Sequence, residues 1–240
     1  MSNVRTDMAL EIRDLHAWYG ESHVLHGVDL HVHQGELVTL LGRNGAGRTS
    51  ILRAILGLTG RRSGAIQVFG QAVMAQTTYR IARLGVGYCP EERGIFSRLS
   101  CEENLYLPPA LKGPMPGLSV AEIYRLFPNI EERRHSPGTL LSGGEQQMLA
   151  LARILRTGAR LLLLDEISEG LAPVIVKTLA RAIQELRQRG YTIVLVEQNF
   201  RFSAALSDRF YFIENGRVID TLLADELEEN ADRVNEMLSV

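Results

Sequence analysis

Short uninterrupted apolar runs punctuate the chain, and each hands over to a different pattern. ELVTLLG runs into a glycine-rich loop, ARLLLLDE precedes a helical pattern around Val174 to Gln188, and YTIVLVEQN precedes FRFSAALSD. Apolar runs without polar alternation suit strands covered on both faces, and their alternation with amphipathic helices predicts an α/β core around a parallel sheet. Other regions follow a different rhythm. ALEIRDLHAWYG and GVDLHVHQGE alternate apolar and polar residues, and GAIQVFGQAV reads as a further hairpin, so an antiparallel β layer is expected against the core.

Between Glu91 and Arg134 the chain is richer in proline, glycine and charge, with helices expected at Cys101 to Leu107 and Ser119 to Phe127. The expectation is a single domain over residues 9–222 with a helical subdomain inserted at about 92–156. RFYFIENGRVIDTLLADELEE predicts a hairpin turning at Asn215-Gly216, then an exposed acidic helix in a C-terminal tail, 223–240.

The length, 240 residues, suits one large domain with an insert. A net charge of -2 gives no global attraction to polyanions, so no nucleic-acid partner is expected. MSNVRTDMAL lacks the pattern of a signal peptide, and no segment approaches the roughly 18 to 20 apolar residues of a membrane helix, so a soluble, cytoplasmic chain is expected. Cys89 and Cys101 are the only cysteines, which fits a reducing compartment, and Cys89 reads as a small buried strand residue. His16, His23, His26, His31 and His33 lie close together in sequence without Cys, Asp or Glu at familiar ligand spacing. Exposed strand histidines are the expectation, not a metal site.

Candidate chemistry sits at three places. In LLGRNGAGRTS, Gly42, Gly45, Gly47 and Thr49 fit the phosphate-loop pattern G-x-x-x-x-G-K-[ST], with Arg48 where lysine is expected. A glycine-rich turn from Gly42 through Arg43, Asn44, Gly45, Ala46 and Gly47 to a helix N-terminus aims backbone N–H groups at phosphates. Thr49 is the hydroxyl placed for Mg²⁺, with Ser50 beside it. LLLLDE ends a buried strand with Asp165, suited to hold the metal through its water, and Glu166, suited to polarise an attacking water. LLSGGEQQMLALARIL sets Ser142, Gly143 and Gly144 at the start of an amphipathic helix, a second anion site.

Leu141 to Gln147 resembles the signature motif of ABC-transporter ATPases. The resemblance runs from about Leu10 to Asp220 and, through YGESHVLHGVDLHVHQGELVTLLGRNGAG, SEGLAPVIV and LVEQNFRFSAALSDRFYFIENGRV, is similar to the ATP-binding subunits of branched-chain amino-acid importers. It implies a P-loop NTPase core bound to ATP and Mg²⁺, and a head-to-tail dimer, with itself or a related ATPase, in which each phosphate loop faces the other subunit's Ser142, Gly143 and Gly144. It also implies that Tyr19 stacks on adenine, with Trp18 competing, that Glu91 contacts Mg²⁺, that Gln198 senses the γ-phosphate, and that Ser168, Glu169 and Gly170 touch the partner. Arg48 and Ile167, the latter in place of a proline, depart from that branch. Arg48 is expected to keep nucleotide binding and slow hydrolysis, and Ile167 to loosen the setting of Glu166.

The reading is an ATPase at the cytoplasmic face of the inner membrane, peripheral to integral-membrane subunits, that never touches the transported amino acid itself. GIFSRLSCEENLYLPP, with Ile95, Phe96 and Leu99, is the expected docking segment. Two alternatives stand beside it: a nucleotide-binding regulatory subunit with weak or no hydrolysis, and a soluble ABC ATPase outside transport.

Overall fold

The computed structural model describes residues 8–111 and 116–238. Most of MSNVRTDMAL and the last two residues of the tail lie outside them. The alternating N-terminal segments form strands β1 (Met8–Tyr19) and β2 (Ser22–His33), and after β3 (Leu37–Leu41) come β4 (Arg61–Val68) and β5 (Gln71–Ala72). Strands β2, β1, β4 and β5 make an antiparallel four-stranded sheet in that order, with β4 and β5 forming the expected hairpin. The second sheet adds β6 (Val86–Cys89), β7 (Leu161–Asp165), β8 (Thr192–Val196), β9 (Arg209–Glu214) and β10 (Arg217–Leu223), in the order β10-β9-β3-β8-β7-β6. Its strands are parallel except β10, which returns antiparallel beside β9 through the turn at Asn215-Gly216.

Every residue of β3, β7 and β8 is buried, as uninterrupted apolar runs require. The helices are α1 (Arg48–Ile55), α2 (Thr78–Arg83), α3 (Cys101–Tyr106), α4 (Val120–Leu126), α5 (Pro128–Glu132), α6 (Gly143–Thr157), α7 (Pro173–Gln188), α8 (Phe200–Ala204) and α9 (Ala231–Leu238). One apolar cluster fills the space between the two sheets, where Leu10 and Ile12 of β1 share it with Leu40 and Ile51. A second joins the helical insert to the other face of the parallel sheet, with Phe127, Ile130, Met148 and Leu149 in the same cluster as Cys89, Leu162 and Leu164. Ser100, Ser119 and Ser142 each start a helix with a reciprocal bond to a glutamate three residues on, which fixes where α3, α4 and α6 begin.

The acidic tail differs from expectation. ADELEE forms only a short 3-10 turn at Ala224–Glu226, and α9 begins at Ala231. Asp225 stands three and four residues from Glu228 and Glu229, and like charges at that spacing oppose a helix. Nor does α9 stand apart, since Val234 is buried with Leu41, Phe210, Phe212 and Leu222. Among the described residues no helix is long and apolar enough to cross a membrane.

Candidate functional site

The sheet order puts β8 between β3 and β7, so the carboxyl ends of three parallel strands open onto one edge. That is where open α/β sheets place ligands. From β3 comes the phosphate loop. A Cβ on Gly42 would lie 2.2 Å from the carbonyl oxygen of Ile213, so only glycine allows that approach. On the far side of the loop the Gly216 N–H donates to the Ala46 carbonyl at 2.8 Å, locking the β9–β10 turn onto it. Gly47 precedes α1 in the left-handed region, φ 107, and offers no side-chain cap. The first N–H groups of α1 therefore have no side-chain acceptor, as a phosphate cradle requires. A cavity of about 550 Å³ opens over this point, lined by the loop from Asn44 to Ser50 together with Glu91, Glu166 and Gln198.

From β7 come the two carboxylates. Thr49 Oγ1 donates to Asp165 Oδ1 at 2.9 Å, and the Tyr88 hydroxyl donates to Asp165 Oδ2 at 3.1 Å. Burial pushes the Asp165 carboxyl up, against the pull of these two bonds. Glu166 follows in the left-handed region at φ 48, its N–H donating to the Val196 carbonyl at 2.9 Å. Such backbone is strained for a non-glycine residue and holds the Glu166 side chain toward the loop. Ile167, in place of the proline, is buried in the apolar cluster on the helical side.

Arg48 is turned inward. Its Nη1 donates to the Glu197 carbonyl at 2.7 Å, while Nη2 pairs with Glu166 Oε1 at 2.8 Å and reaches Asn44 Oδ1 at 3.3 Å. Burial lowers its pKa, against the pull of Glu166. Gln198, from the end of β8, bonds Asn44 Oδ1 and lies 3.4 Å from both Glu166 oxygens.

Oxygens of Glu91, Glu166 and Glu169 all lie within 4.8 Å of one another. A hydrogen bond to Glu166 pushes the Glu169 carboxyl up to about 7. Carboxylates crowded beside a Thr–Asp pair are a hard oxygen-donor set that suits Mg²⁺. Thr49, Asp165 and Glu91 are the residues that would hold it.

The structure separates two other groups of expected residues from this cavity. Tyr19 is 36% exposed at the end of β1 and does not line it; the wall there is His23, Val24 and His26. Trp18 is occupied on its own ring, stacked on His23 at 4.2 Å between centroids with the Arg61 guanidinium 4.2 Å from the ring. Ser142, Gly143 and Gly144 also lie outside the lining. Ser142 is exposed and caps α6, with the Glu145 N–H donating to its Oγ at 3.3 Å, and Gly144 packs on Ile175. The cavity thus lacks the second anion site unless another copy supplies it.

Glu197 was not singled out by any motif. It is 1% exposed and accepts the Ser168 N–H at 3.0 Å and the Ser168 hydroxyl at 2.8 Å. Burial pushes its carboxyl up to about 7 despite those bonds. An acid directly after a buried strand was the available signal.

A family model for ABC transporters matches residues 25–169. The chain is similar to the high-affinity branched-chain amino acid transport ATP-binding protein BraG of Pseudomonas aeruginosa, 40% identical over 207 residues, which span 84% of this chain and 87% of that one. It is also similar to the lipopolysaccharide export system ATP-binding protein LptB of Escherichia coli K12, 33% identical over 214 residues, 88% of each chain. Its fold is similar to that of a dimeric ATP-binding cassette in a post-hydrolysis state bound to ADP and Pi, with a TM-score of 0.79, 20% identity and coverage of 90% of this chain and 98% of the other. The regulatory and non-transport alternatives find no support in these comparisons.

Proposed function

Because this chain belongs to the ABC transporter family of ATP-binding subunits, we propose that it energises an importer of branched-chain or related amino acids by hydrolysing ATP at the cavity between Thr49 and Glu166. The observation that carries the catalytic part is the convergence of the uncapped start of α1, the Thr49–Asp165 bond and Glu166 on one cavity. The similarity to BraG supports the solute class, and the similarity to LptB keeps a second class of cargo in the experiment.

In this reading the N–H groups from Gly42 to Thr49 hold the phosphates, and Tyr19 closes over the adenine from the rim. Thr49, Asp165 and Glu91 would hold Mg²⁺, which would supply positive charge against the phosphates. Glu166 orients and deprotonates the attacking water, and Gln198 hydrogen-bonds the γ-phosphate without adding charge. Ser142, Gly143 and Gly144 serve the cavity of a second copy or of a related ATPase, since they lie outside their own.

The fork of Arg48 is already satisfied by Glu166, Asn44 and the Glu197 carbonyl, so hydrolysis is slow until these contacts rearrange. The subunit lies at the cytoplasmic face of the membrane, on integral-membrane subunits that alone meet the solute. Residues 9–222 act as one ATPase domain, with the helical insert toward those subunits.

Purification from native membranes, with identification of the co-purifying chains and ATP hydrolysis by the complex, tests this reading. Amino-acid permease subunits and Mg²⁺-dependent hydrolysis are expected. Export components in their place would move the cargo to the second class, and no hydrolysis by the intact complex would remove the catalytic assignment.

A further inference from the structure

The wall of the cavity on the β2 side is histidine. His26 N–H donates to the Gly216 carbonyl at 2.9 Å, and Gly216 N–H donates to the Ala46 carbonyl at 2.8 Å, so two backbone bonds tie β2 to the phosphate loop. A Cβ on Gly216 would lie 3.0 Å from His26 Cδ2, which places the imidazole against the turn that borders the loop. His23 follows, edge-on to His26 at 4.1 Å between centroids and backed by the flat stack of Trp18. Both histidines line the same cavity as Asn44 to Ser50.

The side chains lining that cavity bring little free positive charge of their own to a polyanion. Its lining holds the carboxylates of Glu91, Glu166 and Glu169 against one guanidinium, Arg48, which is already paired with Glu166. Among the described residues, the remaining lining groups able to become cationic are His23 and His26. We propose that His23 and His26 are nucleotide-contacting residues that take up protons when a nucleoside polyphosphate enters the phosphate loop, an inference that rests on the ATP-binding reading above.

Several groups face this pair. From β1, His16 Nδ1 lies 3.1 Å from His23 Nε2, and its Nε2 lies 3.1 Å from Asp14 Oδ1; from β4, Arg61 sits over Trp18. Across the cavity are Arg48, Glu91, Glu166 and Glu169. In the free chain, loss of water around its ring, then His26 and His16, hold His23 below the usual histidine range. A bound polyphosphate would act in the opposite sense, favouring the protonated ring. A histidine whose pKa rises on binding strengthens binding below its free value, and that gain is lost as pH rises through the bound value. A rise of one unit in the His23 ring would correspond to about tenfold in affinity.

The test is the Kd of Mg-ADP for the full chain between about pH 6 and pH 8, with calorimetry in buffers of different ionisation enthalpy to count protons taken up. The native chain should lose affinity as pH rises and take up protons. His23→Asn, at an exposed position, should flatten part of that dependence, and His23→Asn with His26→Gln should flatten more. Protonation of the nucleotide itself is common to all variants and cancels. Equal pH dependence and equal proton uptake in native and double variant, with binding intact, would overturn the proposal alone. Failure of the native chain to bind Mg-ADP at any pH would overturn the ATP-binding reading and this proposal with it. If the double variant is less stable to heat, His23→Asn alone decides.

Discussion

Arg48 and Glu166 form an ion pair, 2.8 Å from Nη2 to Oε1, with their side chains only 4% and 10% exposed. In the proposed reaction the first belongs to the loop that holds the phosphates and the second is the carboxylate that activates water. On that proposal the pair holds the water-activating charge and the phosphate-binding charge against each other. An isolated buried ion pair gains little net stability, but removing one partner leaves the other uncompensated.

Arg48→Lys should raise ATP hydrolysis. A lysine ammonium is compact and lacks the planar fork that now spans Glu166, Asn44 and the Glu197 carbonyl, so it is freer to meet the phosphates. A well-placed charge contact of this kind is worth about 10²- to 10³-fold in rate. Steady-state hydrolysis and nucleotide affinity of both chains, with and without membrane subunits, give the comparison. Equal rates would show that the arginine already performs the lysine's task.

Glu166→Gln should trap a nucleotide-bound dimer while slowing turnover by about 10² or more. The amide keeps the shape of the site but loses the acceptor that takes a proton from water. It also releases the charge that holds Arg48, which leaves that guanidinium free for phosphate. Light scattering with and without Mg-ATP reads the outcome, and an unchanged monomer would exclude a nucleotide sandwich built this way.

Much of this site was legible in the sequence because its parts are local. Buried runs such as Leu161–Asp165 must be covered on both faces, and Gly42 marks a point of the loop that a side chain would block. What was not legible depends on contacts between distant segments. Glu197 meets Ser168, and Arg48 meets Glu166, across separations no periodic pattern records. The histidines of the cavity wall, His23 and His26, were not legible beside the expected Tyr19 and Trp18 for a similar reason. The β1–β2 pairing shifts register between Ala17 and Trp18, and alternation alone does not place such a bulge.

Stability should fall as pH rises through the range set by Glu197. Its carboxyl moves from 4.5 to about 7 on folding, so the native state binds more protons than the unfolded chain between those values. The contribution is fully present below about 4.5 and lost above about 7, on the order of 3 kcal/mol at most. Thermal melts across that range should show a smaller loss for Glu197→Gln than for the native chain. Parallel curves would mean that other buried acids set the slope.

The segment after Glu91 should meet a membrane subunit through Phe96 and not through all three of its apolar residues. Ile95 packs against the helical-side core and Leu99 is half-buried, whereas Phe96 is 51% exposed with the Arg153 guanidinium 4.8 Å from its ring. The Thr139 N–H donates to the Ser97 carbonyl at 2.9 Å, which holds this segment beside Leu140, itself 70% exposed. Large apolar side chains kept in water on a fixed backbone are suited to a partner surface. A photo-crosslinker at Ser97 or Arg98, next to Phe96 but outside the core, should capture an integral-membrane chain in native membranes. Phe96→Ser should lower hydrolysis by the assembled complex and leave the isolated chain unchanged, because Phe96 lies outside the nucleotide cavity. Crosslinks confined to soluble chains, or equal losses in the isolated and assembled forms, would place the coupling surface elsewhere.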